Sequence, residues 1–385
     1  MSAAERIRTT HVGSLARPAD LVEFAAQAQR DEQQTAAYEA RLRAAVADVV
    51  RKQCETGLDI VNDGEFGKSA WHAYMNERLS GFERQPCDPV ATRGKDARDF
   101  PEFYALENIG LPPPRPWQWV VTGPIAYTGG AAIARDIADL KAAAAGLDAE
   151  LFMAAVAPGS IARYQTEYYA SEEDALDAIA DALNVEYRAI VDAGFILQID
   201  DAQLAVTHDL MIPPATFDEY VRWAQIRISA LNRALAGIPP ERARYHLCWG
   251  SWNAPHTSDV ELKHVIELVL QIRVGGYALE MANPRHEHEW RLWERVKLPA
   301  GCVLIPGVVS HATNIVEHPE LVAERIVRLA NLVGRENVIA GTDCGFSQVA
   351  GKPRVHPSIM WAKLAALVEG ARIATRELWG RRSAA

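Results

Sequence analysis

The stretch SEEDALDAIADALNVEYRAIVDAGFILQIDD, from Ser171 to Asp201, holds one complete unit of the fold. Ser171 offers a capping hydroxyl, and Glu172, Glu173 and Asp174 place negative charge where a helix start presents unpaired amide hydrogens. Apolar residues then recur at helical spacing as far as Asp192. Gly194 supplies the residue type that ends helices in the left-handed conformation. Phe195–Ile199 is an apolar run of strand length, and Asp200-Asp201 closes it with two acids. The order is helix, glycine, strand and polar exit.

Working outward, the same alternation recurs along the chain. Candidate strands are Ile7–His11, Leu58–Asn62, Trp119–Thr122, Phe195–Ile199, Arg244–Leu247, Gly276–Glu280, Val303–Ile305 and Val338–Ala340. The clearest helical stretches are Ala36–Glu55, Glu172–Asp192, Phe217–Leu235, Val260–Val269 and Pro319–Leu332. Strands alternating with helices predict the α/β class and a single (β/α)₈ barrel over residues 1–385. The irregular part is 67–116, rich in Pro, Arg and aromatics, which reads as a loop insertion after strand two, over the active-site face. Within it, Pro112-Pro113-Pro114 with Pro116 reads as a rigid extended connector.

Composition limits the function classes. Forty Lys and Arg against fifty Asp and Glu leave a net charge of −10, which argues against nucleic acid or an anionic membrane surface as partner. No apolar run approaches the roughly 18 residues of a membrane span, and Met1–Arg6 lacks the layout of a secretion signal. Five cysteines, an odd number, imply a reducing cytoplasmic compartment with free or metal-bound thiols. Cys54 reads as core filler, and Cys87 and Cys302 lack ligand neighbours. Self-association is left open.

Barrel enzymes carry their chemistry at the C-terminal ends of strands. Polar residues fall at those ends here: His11-Val12-Gly13-Ser14, Asn62-Asp63-Gly64-Glu65, Asp200-Asp201, His246 with Cys248, Glu280, His311 and Asp343-Cys344. Among them His246, Cys248, Glu280 and Cys344 offer one imidazole, two thiolates and a carboxylate, a set that suits Zn2+. They lie at the exits of strands five, six and eight. Zinc so held can take a substrate thiol as its thiolate at neutral pH.

These residues resemble the catalytic domain of the cobalamin-independent methionine synthases. The resemblance rests on the His-x-Cys, Glu and Asp-Cys-Gly arrangement, together with Val12-Gly13-Ser14, Asp63-Gly64-Glu65-Phe66, Thr122-Gly123-Pro124 and Gln198-Ile199-Asp200-Asp201. It implies a zinc-dependent methyltransferase that makes methionine from homocysteine without cobalamin, with a small-molecule thiol and an alkyl donor as its partners. Val12, Gly13, Ser14, Glu65 and Asp200 would bind the thiol substrate, Glu65 through its ammonium group. His311 would deliver a proton to the leaving atom, with Asp200 or Asp201 as the alternative.

The chain also departs from that family. Pro114-Arg115-Pro116-Trp117 stands where the pterin signature belongs. The opening Arg8–Ser14 segment also resembles epoxyalkane:coenzyme M transferase, so thiol addition to an epoxide is the second enzymatic reading. A non-catalytic barrel with structural zinc is the third.

Each residue has a plainer reading beside the functional one. Glu65 could cap the following segment, and His311 could be a satisfied structural histidine. Adjacent strand residues point to opposite faces, so only one of Asp200 and Asp201 should enter the barrel mouth, the other meeting a salt bridge or solvent. Arg285-His286-Glu287-His288-Glu289 reads as the opening of an exposed helix, because its i, i+2 histidines share no helix face. Trp71, Trp249 and Trp252 could line the mouth or pack in the core.

Overall fold

A computed structural model describes residues 5–87, 94–106, 116–161 and 164–380. The strands among them are β1 Arg8–Thr9, β2 Ile60–Val61, β3 Phe82–Pro86, β4 Trp117–Val121, β5 Glu150–Val156, β6 Tyr164–Thr166, β7 Ile196–Asp201, β8 Ala243–Leu247, β9 Gly276–Leu279, β10 Val303–Val309 and β11 Ile339–Thr342. Eight form one sheet in the order β1-β11-β10-β9-β8-β7-β5-β2, and each pair in it is parallel. Asp59 N donates to Thr9 O at 3.2 Å and Thr10 Oγ1 to Ile60 O at 3.2 Å, which draws β2 back against β1. With helices outside, this is a (β/α)₈ barrel.

Local signals set the surrounding helices. Ser171 caps Glu172–Asp192 by accepting from Asp174 N at 3.1 Å. Gly57 ends Thr35–Thr56 at φ 97°. Thr216 and Glu219 form a reciprocal capping box on Phe217–Ala234. The helices bury their apolar faces on the barrel wall: Leu176, Ile179, Leu183 and Ile190 of Glu172–Asp192 all lie within the main core.

One expected barrel strand is misplaced. Trp117–Val121 is a strand, but it belongs to a separate three-stranded sheet, antiparallel to β3 and parallel to β6. Barrel strand three is β5, whose residues Phe152–Val156 are all buried. Thr122-Gly123-Pro124 therefore follows an accessory strand rather than a barrel strand.

Residues 88–93 and 107–115 of the expected insertion, with Pro112, Pro113 and Pro114, lie outside the described residues. The helix Lys95–Asp99 within it reaches the loop after β8, where Asp96 accepts from His256 N at 3.0 Å and Thr257 N at 2.9 Å. No helix among the described residues is long and apolar enough to cross a membrane.

Candidate functional site

A buried polar layer inside the barrel positions the strand exits. Arg244 on β8 is fully buried. It donates to Gln198 Oε1 on β7 at 2.8 Å, Thr10 Oγ1 at 3.0 Å and His11 O at 3.0 Å. Gln198 in turn donates to Val12 O and, at 2.8 Å, to Asp200 Oδ1. Three strands are thereby locked in register directly beneath the mouth.

Above this layer, the exits of β8 and β11 bring His246, Cys248 and Cys344 together. One potential ligand atom from each lies within 4.8 Å of the others, and all three residues are buried. The sulfurs are 3.5 Å apart, and sharing a proton with Cys248 holds the Cys344 thiol well below the usual thiol range. The imidazole is already oriented. His246 Nδ1 lies 3.3 Å from Ala278 O, a contact it can make only by donating, so in the neutral ring it is Nε2 that carries the lone pair. His246 Nε2 is buried and has no hydrogen-bond partner. A soft, buried donor set with an orphaned lone pair fits zinc.

Glu280, the fourth predicted ligand, lies beside this trio rather than in it. It follows β9 and is fully buried. Its Oε1 accepts from Trp249 N at 3.0 Å, and its Oε2 from Asn283 Nδ2 at 2.7 Å and an Arg285 guanidinium nitrogen at 3.1 Å. Asp343 fixes the turn, accepting from Met281 N and Ala282 N at 2.8 Å each and from Asn283 Nδ2 at 3.0 Å.

Donors also surround the sulfurs. Ser251 Oγ lies 3.5 Å from Cys344 Sγ and 3.9 Å from Cys248 Sγ, Gly250 N is 3.3 Å from Cys248 Sγ, and Gln348 Nε2 is 3.7 Å from Cys344 Sγ. Trp71 packs against Cys248, Cys344 and Ala202 as an apolar wall. Trp252 is half-buried, its ring tilted 30° against that of His256, while Trp249 is core, its Nε1 donating to Val260 O at 2.7 Å.

The exits of β1 and β2 form a second group. Gly13 has φ +141°, and a Cβ there would stand 2.5 Å from Glu65 Oε1 and 3.4 Å from Asn62 Nδ2. Glu65 holds a left-handed backbone, φ 59°, fixed by Asp63 Oδ1 accepting from its amide at 2.9 Å and by Arg17 donating to its carbonyl at 2.6 Å. Its Oε2 is buried without a hydrogen bond, and Lys68 Nζ stands 3.5 Å away. Asn62 Nδ2 is likewise buried and unpartnered. Val12 and Ser14 are buried, with Val12 N donating to Thr342 Oγ1 at 3.3 Å and Ser14 O accepting from Phe346 N at 2.7 Å.

Asp200 is buried beside the mouth, and burial together with the Glu65 charge pushes its carboxyl up to about 7. Asp201 faces the other way, as adjacent strand positions require. It meets neither the salt bridge nor the solvent expected of it: Tyr245 OH donates to it at 3.0 Å and Leu204 N at 3.3 Å. His311, beyond β10, is fully buried with both ring nitrogens unpartnered, and burial holds its imidazole below the ordinary value.

The expectation of an exposed helix at Arg285–Glu289 holds only in part: a 3₁₀ helix, Glu287–Glu294, opens there and His288 is exposed. His286 and Glu289 are buried, and His286 bridges Glu289 at 2.9 Å and Asp259 at 3.3 Å. Sequence reasoning passed over Lys68, Ser251, Asn283 and Gln348, gave Asn62 no role beyond its place at a strand exit, and read Arg285 as part of a helix start. All lie close in sequence to a predicted site residue: Asn62 and Lys68 three from Glu65, Ser251 three past Cys248, Asn283 and Arg285 three and five past Glu280, and Gln348 four past Cys344.

The family description "Cobalamin-independent synthase, Catalytic domain" matches residues 7–105. A 5-methyltetrahydropteroyltriglutamate–homocysteine methyltransferase from Thermotoga petrophila is 23% identical over 356 residues, which cover 88% of this chain. The chain spans only 41% of that relative's length. A methionine synthase from Saccharolobus solfataricus is 24% identical over 382 residues, covering 98% of each chain. Among solved structures, a B12-independent methionine synthase from a Shewanella species, in complex with selenomethionine, superposes with TM-score 0.73. It has 22% identity, over 97% of this chain and 99% of that one, a likeness of fold.

Proposed function

We propose that this chain is a member of the cobalamin-independent methionine synthase family and transfers a methyl group to the thiol of homocysteine to give methionine, with zinc. The observation that carries the reading is the buried convergence of His246, Cys248 and Cys344, with His246 Nε2 lacking a hydrogen-bond partner. Zinc held there, with Glu280 as fourth ligand, supplies one thing: a thiol kept as thiolate at neutral pH.

The chain's own residues do the rest. Glu65, with a buried oxygen lacking a hydrogen bond, receives the ammonium group of the amino acid. Asn62 Nδ2 offers a donor beside it, and the bare Cα of Gly13 leaves the space between them. Val12 and Ser14 carry that loop, and Asp200 faces the same mouth. His311, whose buried imidazole is held below its ordinary value, would take up a proton from water and pass it to the leaving atom as that departs. Trp71 keeps water from the sulfurs.

The experiment is metal analysis followed by thiol titration. Purified chain should hold zinc, and added homocysteine should bring a new Zn–S distance of about 2.3 Å to the metal X-ray absorption spectrum. Methionine should form when homocysteine is offered with methyltetrahydrofolate, methylcobalamin or a small S-methyl donor, and Cys248→Ser should abolish it. Absence of zinc, or full activity in Cys248→Ser, overturns the reading. Zinc without methionine from any donor transfers it to thiol addition to an epoxide, and zinc that ignores the thiol to a structural role.

A further inference from the structure

The two oxygens of Glu280 are unequally occupied. Oε1 accepts a single hydrogen bond, from Trp249 N, and so retains a free lone pair. Oε2 accepts two, from Asn283 Nδ2 and Arg285, and is saturated. The carboxylate is therefore tethered by one oxygen while the other stays available, and the tether includes a full positive charge.

Arg285 is itself held in place independently of Glu280. One terminal nitrogen donates to Asp259 Oδ2 at 2.8 Å and His256 Nδ1 at 2.9 Å, and the other also reaches Gly250 O at 3.2 Å. Asn283 is braced by Asp343. The guanidinium lines a cavity of about 570 Å3 walled by His256, Asp259 and His286. The cation thus stands ready whether or not the carboxylate is on it.

Resting on the methyltransferase reading above, we propose that Arg285, with Asn283, is a positioning pair that receives Glu280 when the carboxylate leaves the metal, and so makes its place available to the substrate thiol. A carboxylate with no exposed surface cannot leave one charge partner without finding another, since an unpaired buried anion is strongly disfavoured. The fixed guanidinium is that second partner. One anion would replace another at the metal, and the proton lost by the thiol would pass to water. Arg285 acts through Glu280 and touches no reacting atom.

The test uses full-length chain loaded with Co2+, whose sulfur-to-cobalt absorption reports each added thiolate, titrated with homocysteine. Arg285→Gln should need about tenfold more homocysteine for the same absorption, because Glu280 then has no charged position to move into. Its Co2+ affinity should be equal or higher. Adding Glu280→Gln to Arg285→Gln should restore the thiol response, which a merely structural Arg285 could not explain. If Arg285→Gln does not fold, Arg285→Lys, which keeps the charge but loses the fork, should need more homocysteine than the wild type, though less than tenfold more, with the same rescue by Glu280→Gln.

A variant that titrates like the wild type, that loses Co2+, or that is not rescued overturns the inference alone. A wild type that takes no Co2+, or whose spectrum ignores homocysteine, overturns the methyltransferase reading and this inference with it.

Discussion

Gly13 shows how far a single position can decide a site. Its φ of +141° is strained for any side chain, and a Cβ would press to 2.5 Å from Glu65 Oε1. Gly13→Ala should displace the Glu65 carboxylate and lower kcat/KM by about 100-fold, mostly through KM, because small misplacements cost that much. Metal content should stay unchanged; a normal KM would show that the Gly13–Glu65 approach does not hold substrate.

His286 carries a different consequence, in stability rather than catalysis. Burial alone would lower its pKa, but hydrogen bonds to Asp259 and Glu289, with the charges of Glu280 and Glu289, push it up to about 9. Facing the same cluster are Arg285 and His256, both bonded to Asp259 or to each other, and Glu289 also accepts from Leu262 N at 2.5 Å. A folded pKa above the unfolded value of about 6.5 means that the charged imidazole stabilises the native state. That stability is complete below pH ~6.5 and disappears as pH rises through about 9. Urea unfolding of wild type and His286→Gln should therefore differ most near pH 6 and converge above pH 9. A gap independent of pH would mean that the imidazole is neutral when folded.

At the scale of elements, Arg78 ties the segment after β2 to two helices. It is buried, bonding Glu186 of the helix Glu172–Asp192 at 3.0 Å and Asp136 of the helix Gly130–Ala143 at 2.5 Å. Tyr74 and Tyr127 add their hydroxyls to Glu186. Arg78→Met leaves buried Glu186 without a cation and Asp136 with Arg135 alone, at 2.8 Å, and urea unfolding should show a loss of about 3–5 kcal/mol. A loss below about 1 kcal/mol would place the network in the class of exposed ion pairs.

Elements also explain what could be read in advance. Helices such as Glu172–Asp192 and Pro319–Val333 were legible because caps and helical spacing are local signals. The exits carrying His246, Cys248, Glu280 and Cys344 were legible because reactive groups interrupt apolar runs there. Strand three was not. Leu151–Val156 is a short apolar run, buried throughout from Phe152, and periodicity cannot tell such a run from a helix segment. Trp119-Val120-Val121 carried the stronger strand signal, yet its pairing with β3 and β6 is a long-range choice. The burial of His286 was illegible for the same reason, since Asp259 approaches it only through folding.

For the molecule as a whole, the candidate metal site joins parts of the barrel that do not pair. His246 and Cys248 belong to the exit of β8 and Cys344 to that of β11, with β9 and β10 between them in the sheet. An ion bound there would close the mouth across four strands and would stabilise only the folded chain, because the unfolded chain does not hold the three atoms within 4.8 Å. Mass action then sets the size: at zinc a thousandfold above its Kd, the folded state gains about 4 kcal/mol. The melting temperature should fall when a chelator removes zinc, recover on its return, and depend on zinc concentration. Cys248→Ser with Cys344→Ser should melt at one temperature whatever the zinc level. If the double variant responds as the wild type does, the ion sits elsewhere, and the convergence of β8 and β11 has no metal to hold.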